Sequence, residues 1–353
     1  MAAGPRTSAA AATALVFASL LVTFLLGEVA IRLVHPSASL WRYPNYIALA
    51  AQPDPNQPAD LMGYDAELGW TPQPGSSGIL MHQPVSFSAN GLRNQNRGVA
   101  MDGRPPILAI GDSYTEGFAV ADDQTWPAHL ERQIGRRVLN GGVQGYGLDQ
   151  ALLRADRLAG EFRPPVIVLG FIAHDIDRTG LSVKGAVPKP FFTVAGDGLE
   201  LRNVPVPQTP VIGPDAWPRR ILGYSYLLDF TMRRLDATEL WYGTDLSTGQ
   251  DADAIACRLM ARFALLARRH AAQGLVVALP QANDWDAPKT LLADHDRTSR
   301  VLDCAQQRGL LTLDAYGEVE RAAPDPRTLY VDWHLNDAGN AVVARLIAEF
   351  LVR

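Results

Sequence analysis

Cysteine is nearly absent: the 353 residues contain two, Cys257 and Cys304, which excludes a small fold built on a disulfide framework. Runs of lysine and arginine are also missing, and acidic residues outnumber basic ones 37 to 32, for a formal charge of −5. No nucleic-acid partner held by phosphate neutralisation is therefore expected. Glycine (30) and proline (25) are neither periodic nor abundant enough for a collagen-like or low-complexity chain. What is plentiful is apolar side chain, 47% of residues, enough to bury a large core at a mean hydropathy of −0.03.

That average hides an uneven distribution. Residues 7–27 carry no charge and are filled by Ala14, Leu15, Val16, Phe17, Leu20, Leu21, Val22, Phe24, Leu25 and Leu26. The run matches the roughly 20 residues a helix needs to cross a bilayer. Glu28 and Arg32 are four apart and can pair on one helix face before Pro36 ends the segment. A cleaved signal peptide, with Arg6 as its basic region and Ser37-Ala38-Ser39 as its cleavage site, is the competing reading. The anchor is preferred because the apolar run is longer than a usual signal core. Arg6 precedes the helix while Arg32 and Arg42 follow it, so charge asymmetry gives little orientation. The expected location is a single-pass membrane anchor over 1–35, with the body periplasmic or otherwise outside the cytoplasm.

Residues 36–105 are rich in Pro, Gly, Asn and Gln and read as an irregular stalk, with a hairpin near 85–92, that packs onto the body. From 106 onward the pattern becomes regular. Apolar strand-length runs at 106–110, 137–143, 166–172, 275–279 and 310–313 alternate with amphipathic helical stretches at 125–136, 148–161, 251–272, 294–307 and 338–350. Such alternation implies a parallel sheet covered on both faces. The expected fold class is α/β: a three-layer α/β/α, flavodoxin-like, doubly wound domain of five parallel strands over 106–353, whose ligands bind beyond the strands' carboxyl ends. Residues 180–250 interrupt it as a proline- and aromatic-rich insertion, with a hairpin around 191–201 and a helix around 224–235.

Chemistry-bearing residues gather at three strand ends. The first strand runs into Gly111-Asp112-Ser113-Tyr114-Thr115, where a sharp turn leaves a serine hydroxyl near helix-type amides. Thr115 stands where the second glycine of a Gly-x-Ser-x-Gly elbow would be, so this is not that motif. The second strand ends in Asn140-Gly141-Gly142-Val143-Gln144-Gly145-Tyr146-Gly147, whose glycine amides can approach a ligand and stabilise an oxyanion. Just before the last helix, Tyr330-Val331-Asp332-Trp333-His334-Leu335-Asn336 supplies a base for the serine and a carboxylate to orient it.

In this order the blocks resemble the SGNH, or GDSL, hydrolase superfamily over about 106–350. Ile110-Gly111-Asp112-Ser113 is similar to its first block, Gly145 to the glycine of the second, and Asp332 with His334 to the last. The anchor, the pre-domain, Thr125-Trp126-Pro127 and Gly145-Tyr146-Gly147 are similar to membrane-anchored bacterial members, among them polysaccharide O-acetyltransferase and esterase relatives. The resemblance implies a catalytic Ser113, Asp332 and His334, and an oxyanion hole from Ser113, Gly145 and His174. Two departures stand out. His174 occupies the place of the family's third-block asparagine, and one such oxyanion donor is worth about 2.7–4 kcal/mol. One residue, Trp333, separates Asp332 from His334 where much of the family has two.

The expected activity is serine-dependent ester hydrolysis or acyl (acetyl) transfer on an O-acylated, carbohydrate substrate, either a small molecule or a polysaccharide, with no cofactor. The competing reading, motivated by His174, is a catalytically reduced carbohydrate-binding scaffold subunit of envelope-polysaccharide assembly. His129, His270 and His295 are expected to pack or face solvent. Neither Asp294-His295-Asp296 nor His174-Asp175-x-Asp177 has metal-ligand spacing, so no metal is expected. Cys257 and Cys304 fall on helices preceding strands four and five, neighbours on one sheet face. Both a disulfide and two buried thiols fit, and free thiols are favoured when spacing alone is weighed.

Overall fold

The computed structural model describes residues 9–34, 61–95, 102–185, 187–196, 198–208, 222–235, 237, 241 and 245–352. Most of the expected stalk, 36–60 and 96–101, lies outside them. Two compact units form, one from Met1–Gln52 with Ile212–Asp245 and one from Pro53–Val211 with Leu246–Arg353.

In the first unit, α1 (Ala9–Val34) is long and apolar enough to cross a membrane, and none of its apolar window is buried against protein. The second unit centres on five parallel strands, β1 (Ile107–Ile110), β2 (Val138–Asn140), β3 (Val166–Phe171), β4 (Gln273–Ala278) and β5 (Leu311–Asp314). Their order across the sheet is β5-β4-β3-β1-β2, the doubly wound arrangement expected from sequence. Period-2 alternation feeds two cores. Leu108, Ile110, Ile167, Leu169, Phe171, Val276 and Ala278 face one side, and Ile107, Ala109, Val168, Leu275 and Val277 the other. Each Val, Leu, Ile or Phe among them contributes roughly 1.5–3 kcal/mol when buried.

The remaining helices are α2 (Ser113–Glu116), α3 (Trp126–Ile134), α4 (Leu148–Phe162), α5 (Ala173–Thr179), α6 (Tyr226–Arg234, in the first unit), α7 (Ala252–Arg269), α8 (Pro288–Gln306), α9 (Tyr316–Ala322) and α10 (Asp337–Val352). Helices α4, α7 and α8 cover the first face, and α3 and α10 the second. Helix α8 starts well before residue 294, because Pro288 fits the first helical turn, where no amide partner is needed.

Residues 61–95 contain more order than an irregular stalk. Met62–Asp65 pairs antiparallel with Gly69–Pro72, and Ser77–Leu80 with Gln83–Ser86. The second of these hairpins turns at Met81-His82, where both residues have positive φ (46° and 64°) as a two-residue hairpin turn requires. At the place where a hairpin is expected, near 85–92, the chain reverses again through Asn90-Gly91: the Ser88 amide donates to the Leu92 carbonyl at 2.8 Å, and Phe87 bridges Arg93 antiparallel. The expected hairpin of the insertion forms from Phe191–Ala195 and Gly198–Arg202.

Cys257 on α7 and Cys304 on α8 are joined by a disulfide with Cα atoms 5.4 Å apart, which corrects the expectation of free thiols. The two helices lie side by side on one face, and their packing brings the sulfurs together. The bond closes a loop across a sequence separation of 47, for which chain entropy gives about 4 kcal/mol. Reductant should therefore lower the thermal midpoint of the full chain by roughly 10 °C, and Cys257→Ser/Cys304→Ser should match the reduced protein. An unchanged midpoint on reduction would contradict a bridged native state.

Candidate active site

At the carboxyl end of β1 the chain passes through Gly111 into α2. A Cβ on Gly111 would stand 2.3 Å from the carbonyl oxygen of Gly170 on β3, so only glycine fits. Asp112 caps α2, its Oδ1 accepting from the Tyr114 amide at 2.9 Å. Ser113 is thereby fixed at the first helical position.

His334 arrives on a short hairpin, Tyr330–Val331 paired with His334–Leu335, whose two connecting residues Asp332 and Trp333 have φ of 44° and 69°. Non-glycine residues pay for such angles, and the turn is held from outside: the Tyr114 hydroxyl donates to the Trp333 carbonyl at 2.6 Å. The result brings His334 Nε2 to 2.9 Å from Ser113 Oγ. His334 Nδ1 lies 2.9 Å from the main-chain oxygen of Asp332. A carbonyl only accepts, so Nδ1 carries the proton and Nε2 presents its lone pair to the serine hydroxyl. Burial holds the imidazole pKa below its usual 6.5, which keeps it neutral and able to accept a proton. Tyr114 and Phe118 flank the ring at centroid distances of 5.3 and 4.8 Å.

Ser113 and His334 thus come together as expected from sequence. Asp332 stands beside them, but its exposed carboxylate makes no hydrogen bond to His334 among the described residues; its main-chain carbonyl occupies that place. With a single residue between Asp332 and His334, the two-residue turn brings the carbonyl to Nδ1.

Two cavities meet at the Ser113–His334 pair. One, of about 410 Å³, is lined by Met62, Trp70, Phe118, Gly145 and Lys184 among others. The second, of about 210 Å³, is lined by Tyr114, Ile172, His174, Gln281 and Trp333. Gly145 adopts φ +75°, a left-handed angle that favours glycine. The main-chain N–H groups of Ser113 and Gly145 donate to no other described group. His174 lies exposed on α5, with its imidazole free of hydrogen bonds among the described residues. Its pKa is held below 6.5 by partial burial and by Arg178, so it is a neutral donor at neutral pH.

Several neighbours carry no sequence signal beyond their type. Arg178 lines both cavities and bridges buried Asp112 (3.1 Å) and Asp175 (2.6 Å). Burial, then the Asp112 carboxylate, pushes the Asp175 carboxyl well above the usual range, against the pull of Arg178. On the other side, Trp70 Nε1 donates to the Gln144 carbonyl at 3.0 Å and the Tyr146 hydroxyl donates to the Trp70 carbonyl at 2.5 Å. The hairpin of Met62–Asp65 and Gly69–Pro72 therefore clamps the Gly145 loop. Glu116, three residues after Ser113, accepts from the Gln144 amide at 2.6 Å, while its other oxygen has no partner among the described residues. Complete burial raises its pKa to about 7 against the pull of Arg93 and Arg154. Outside the site, His129, His270 and His295 pair with Asp337, Asp156 and Asp314.

No protein-family profile and no curated protein matches the chain. Among solved structures it is similar to a lipolytic protein of the G-D-S-L family from Veillonella parvula, at 14% identity over 70% of this chain and 98% of that one, with a TM-score of 0.44. It is also similar to the acetylxylan esterase Axe2 from Geobacillus stearothermophilus (15%, 72% and 95%, TM-score 0.40). A third is the psychrotrophic esterase EstA from a Pseudoalteromonas species (11%, 71% and 100%, TM-score 0.40). At these scores the likeness assigns no role to any residue of this chain.

Because a carbonyl orients His334, Asp332→Ala should keep any turnover that depends on Ser113 within about tenfold of the parent, where loss of an orienting carboxylate costs about 10⁴-fold. His334→Ala should abolish such turnover, and steady-state rates on a nitrophenyl ester distinguish the cases. Glu116 has a folded pKa above its unfolded value, so its ionisation penalises the fold from about pH 4.5 upward, in full above about 7. Glu116→Gln, neutral throughout, should gain stability over the parent as pH rises from 5 to 8. Parallel denaturation curves at both pH values would refute the assignment.

Proposed function

We propose that the chain is a serine-dependent ester hydrolase or acyl transferase of the SGNH type. The observation that carries this reading is the Ser113 Oγ to His334 Nε2 contact of 2.9 Å, with Nδ1 committed to a carbonyl acceptor. In this reading Ser113 Oγ bonds to the ester carbonyl carbon as its proton passes to His334 Nε2. The carbonyl's electron pair moves onto oxygen, where the Ser113 and Gly145 N–H groups, and the His174 imidazole, receive it. Collapse expels the alcohol, which takes the proton from Nε2, and leaves an acyl-serine. Water then completes hydrolysis, or a sugar hydroxyl completes transfer, by the same steps in reverse order.

An O-acylated carbohydrate is the substrate class favoured. Trp70 and Phe118 line the larger cavity, and Trp333, 68% exposed, stands beside His334, so aromatic faces are available to the apolar faces of a sugar ring. The reading of α1 as a membrane anchor with the body outside the cytoplasm is supported by the Cys257–Cys304 disulfide, which suits an oxidising compartment.

The test is a burst of nitrophenol when the purified full chain meets nitrophenyl acetate, absent from Ser113→Ala. Equal rates in both proteins would sink the assignment. Negligible turnover in the parent, together with glycan binding that survives Ser113→Ala, would favour the scaffold reading instead.

A further inference from the structure

The first unit contains an arrangement that the ester chemistry does not use. Near the end of α1, Glu28 accepts hydrogen bonds from Ser225 Oγ (2.8 Å), the Tyr226 amide (2.9 Å) and the Leu227 amide (2.9 Å). These are donors at the N-terminus of α6, so one carboxylate on the apolar helix serves as cap for a helix nearly two hundred residues away in sequence. Arg32 pairs with Glu28 at 2.5 Å, donates to the Tyr224 carbonyl and lies over the Tyr226 ring at 4.6 Å. Each charge in this stretch of α1 is therefore matched by a partner brought by 224–227.

Height along α1 gives this clamp its meaning. The apolar window begins at Ala11, and a hydrocarbon core of about 30 Å is spanned by about 20 residues at 1.5 Å each. Glu28 then falls at the edge of the core, where an unmatched carboxylate is costly. The N-terminus of α6 is fixed at that same height. The helix and its flanks carry exposed apolar side chains that a water-facing segment has no use for: Phe230 on the helix, Leu222 and Tyr224 (59% exposed) before it, and Leu235 (68% exposed) after it. Arg234 lies over the Phe230 ring at 5.2 Å, placing a cation beside the apolar surface.

We propose that α6, with Leu222 and Tyr224 before it and Leu235 after it, lies in the plane of the membrane surface as a lipid-contacting helix, clamped to the exit of the span by Glu28 and Arg32. The occupant of its apolar face is the bilayer that α1 crosses, and the inference rests on that reading of α1. Leu222, Phe230 and Leu235 enter the headgroup and acyl boundary, Tyr224 sits at the aromatic-belt level, and Arg234 faces the phosphates.

Depth-dependent quenching tests this with the full chain in vesicles of phosphatidylcholine with one part in four phosphatidylglycerol. Single cysteines replace Phe230, Leu235 or Leu20 and carry an environment-sensitive fluorophore; the native cysteines are already joined. The expected result is about twofold quenching at positions 230 and 235 by lipids spin-labelled near the headgroup, and at 20 by lipids labelled near the chain end, each relative to vesicles without spin label. Quenching at 20 with none at 230 and 235 would overturn the proposal and leave the anchor standing. No quenching at 20 would overturn both. Retention of the parent's melting temperature shows that each labelled protein is folded.

Discussion

The arrangement depends on one proton, the one carried by His334 Nδ1. Unless it stays there, Nε2 has no lone pair for the Ser113 hydroxyl. A main-chain carbonyl holds it, and that carbonyl points correctly only because Asp332 and Trp333 both adopt left-handed backbone angles. Those angles are maintained by the Tyr114 hydroxyl, which belongs to the residue following Ser113. Serine, imidazole and turn are thus one closed circuit, and a shift in α2 would be felt at His334 through Tyr114.

Around this circuit the chain buries charge in compensated groups. Asp112, Asp175 and Arg178 share a site beneath the serine, and Lys189 is fully buried against Asp149 on the helix that follows the Gly145 loop. Lys189 also donates to the carbonyls of Arg178 and Leu181, which ties the start of the insertion to the same layer. Buried pairs of this kind are costly to break and add little net stability, so their effect is to fix geometry. Fixed dipoles and charges near a reacting serine are worth more in such dry surroundings than in water.

Much of the second unit was legible in the sequence, because period-2 apolar runs and amphipathic helices report local structure. Strands 107–110, 166–171 and 273–278 fall close to where the alternation puts them, and Ser113 and His334 meet as their strand-end positions require. What was not legible depends on long-range or backbone geometry. Nothing in Asp332-Trp333-His334 says that a carbonyl, not a carboxylate, will reach Nδ1. The pairing of Cys257 with Cys304 needed the separation of two helices. Arg178 and Glu116 gain their roles from residues brought together across β1, β2 and β3, and the hairpins at 62–72 and 77–86 lack the Asn-Gly or Asp-Gly turns that announce such elements.

Those hairpins bear on where a functional unit begins. β2 is an edge strand of three residues, and its outer side at Asn140 is taken by Arg93, whose amide donates to the Asn140 carbonyl at 3.0 Å. The Arg93 side chain then continues inward to the carbonyls of Glu116, Gly117 and Val120. A single residue upstream of the regular α/β pattern therefore both closes a sheet edge and braces the chain that follows Ser113. Cut away, the edge becomes a bare template for another strand. Residues 61–95 thus share a compact unit with the sheet whose edge they cover.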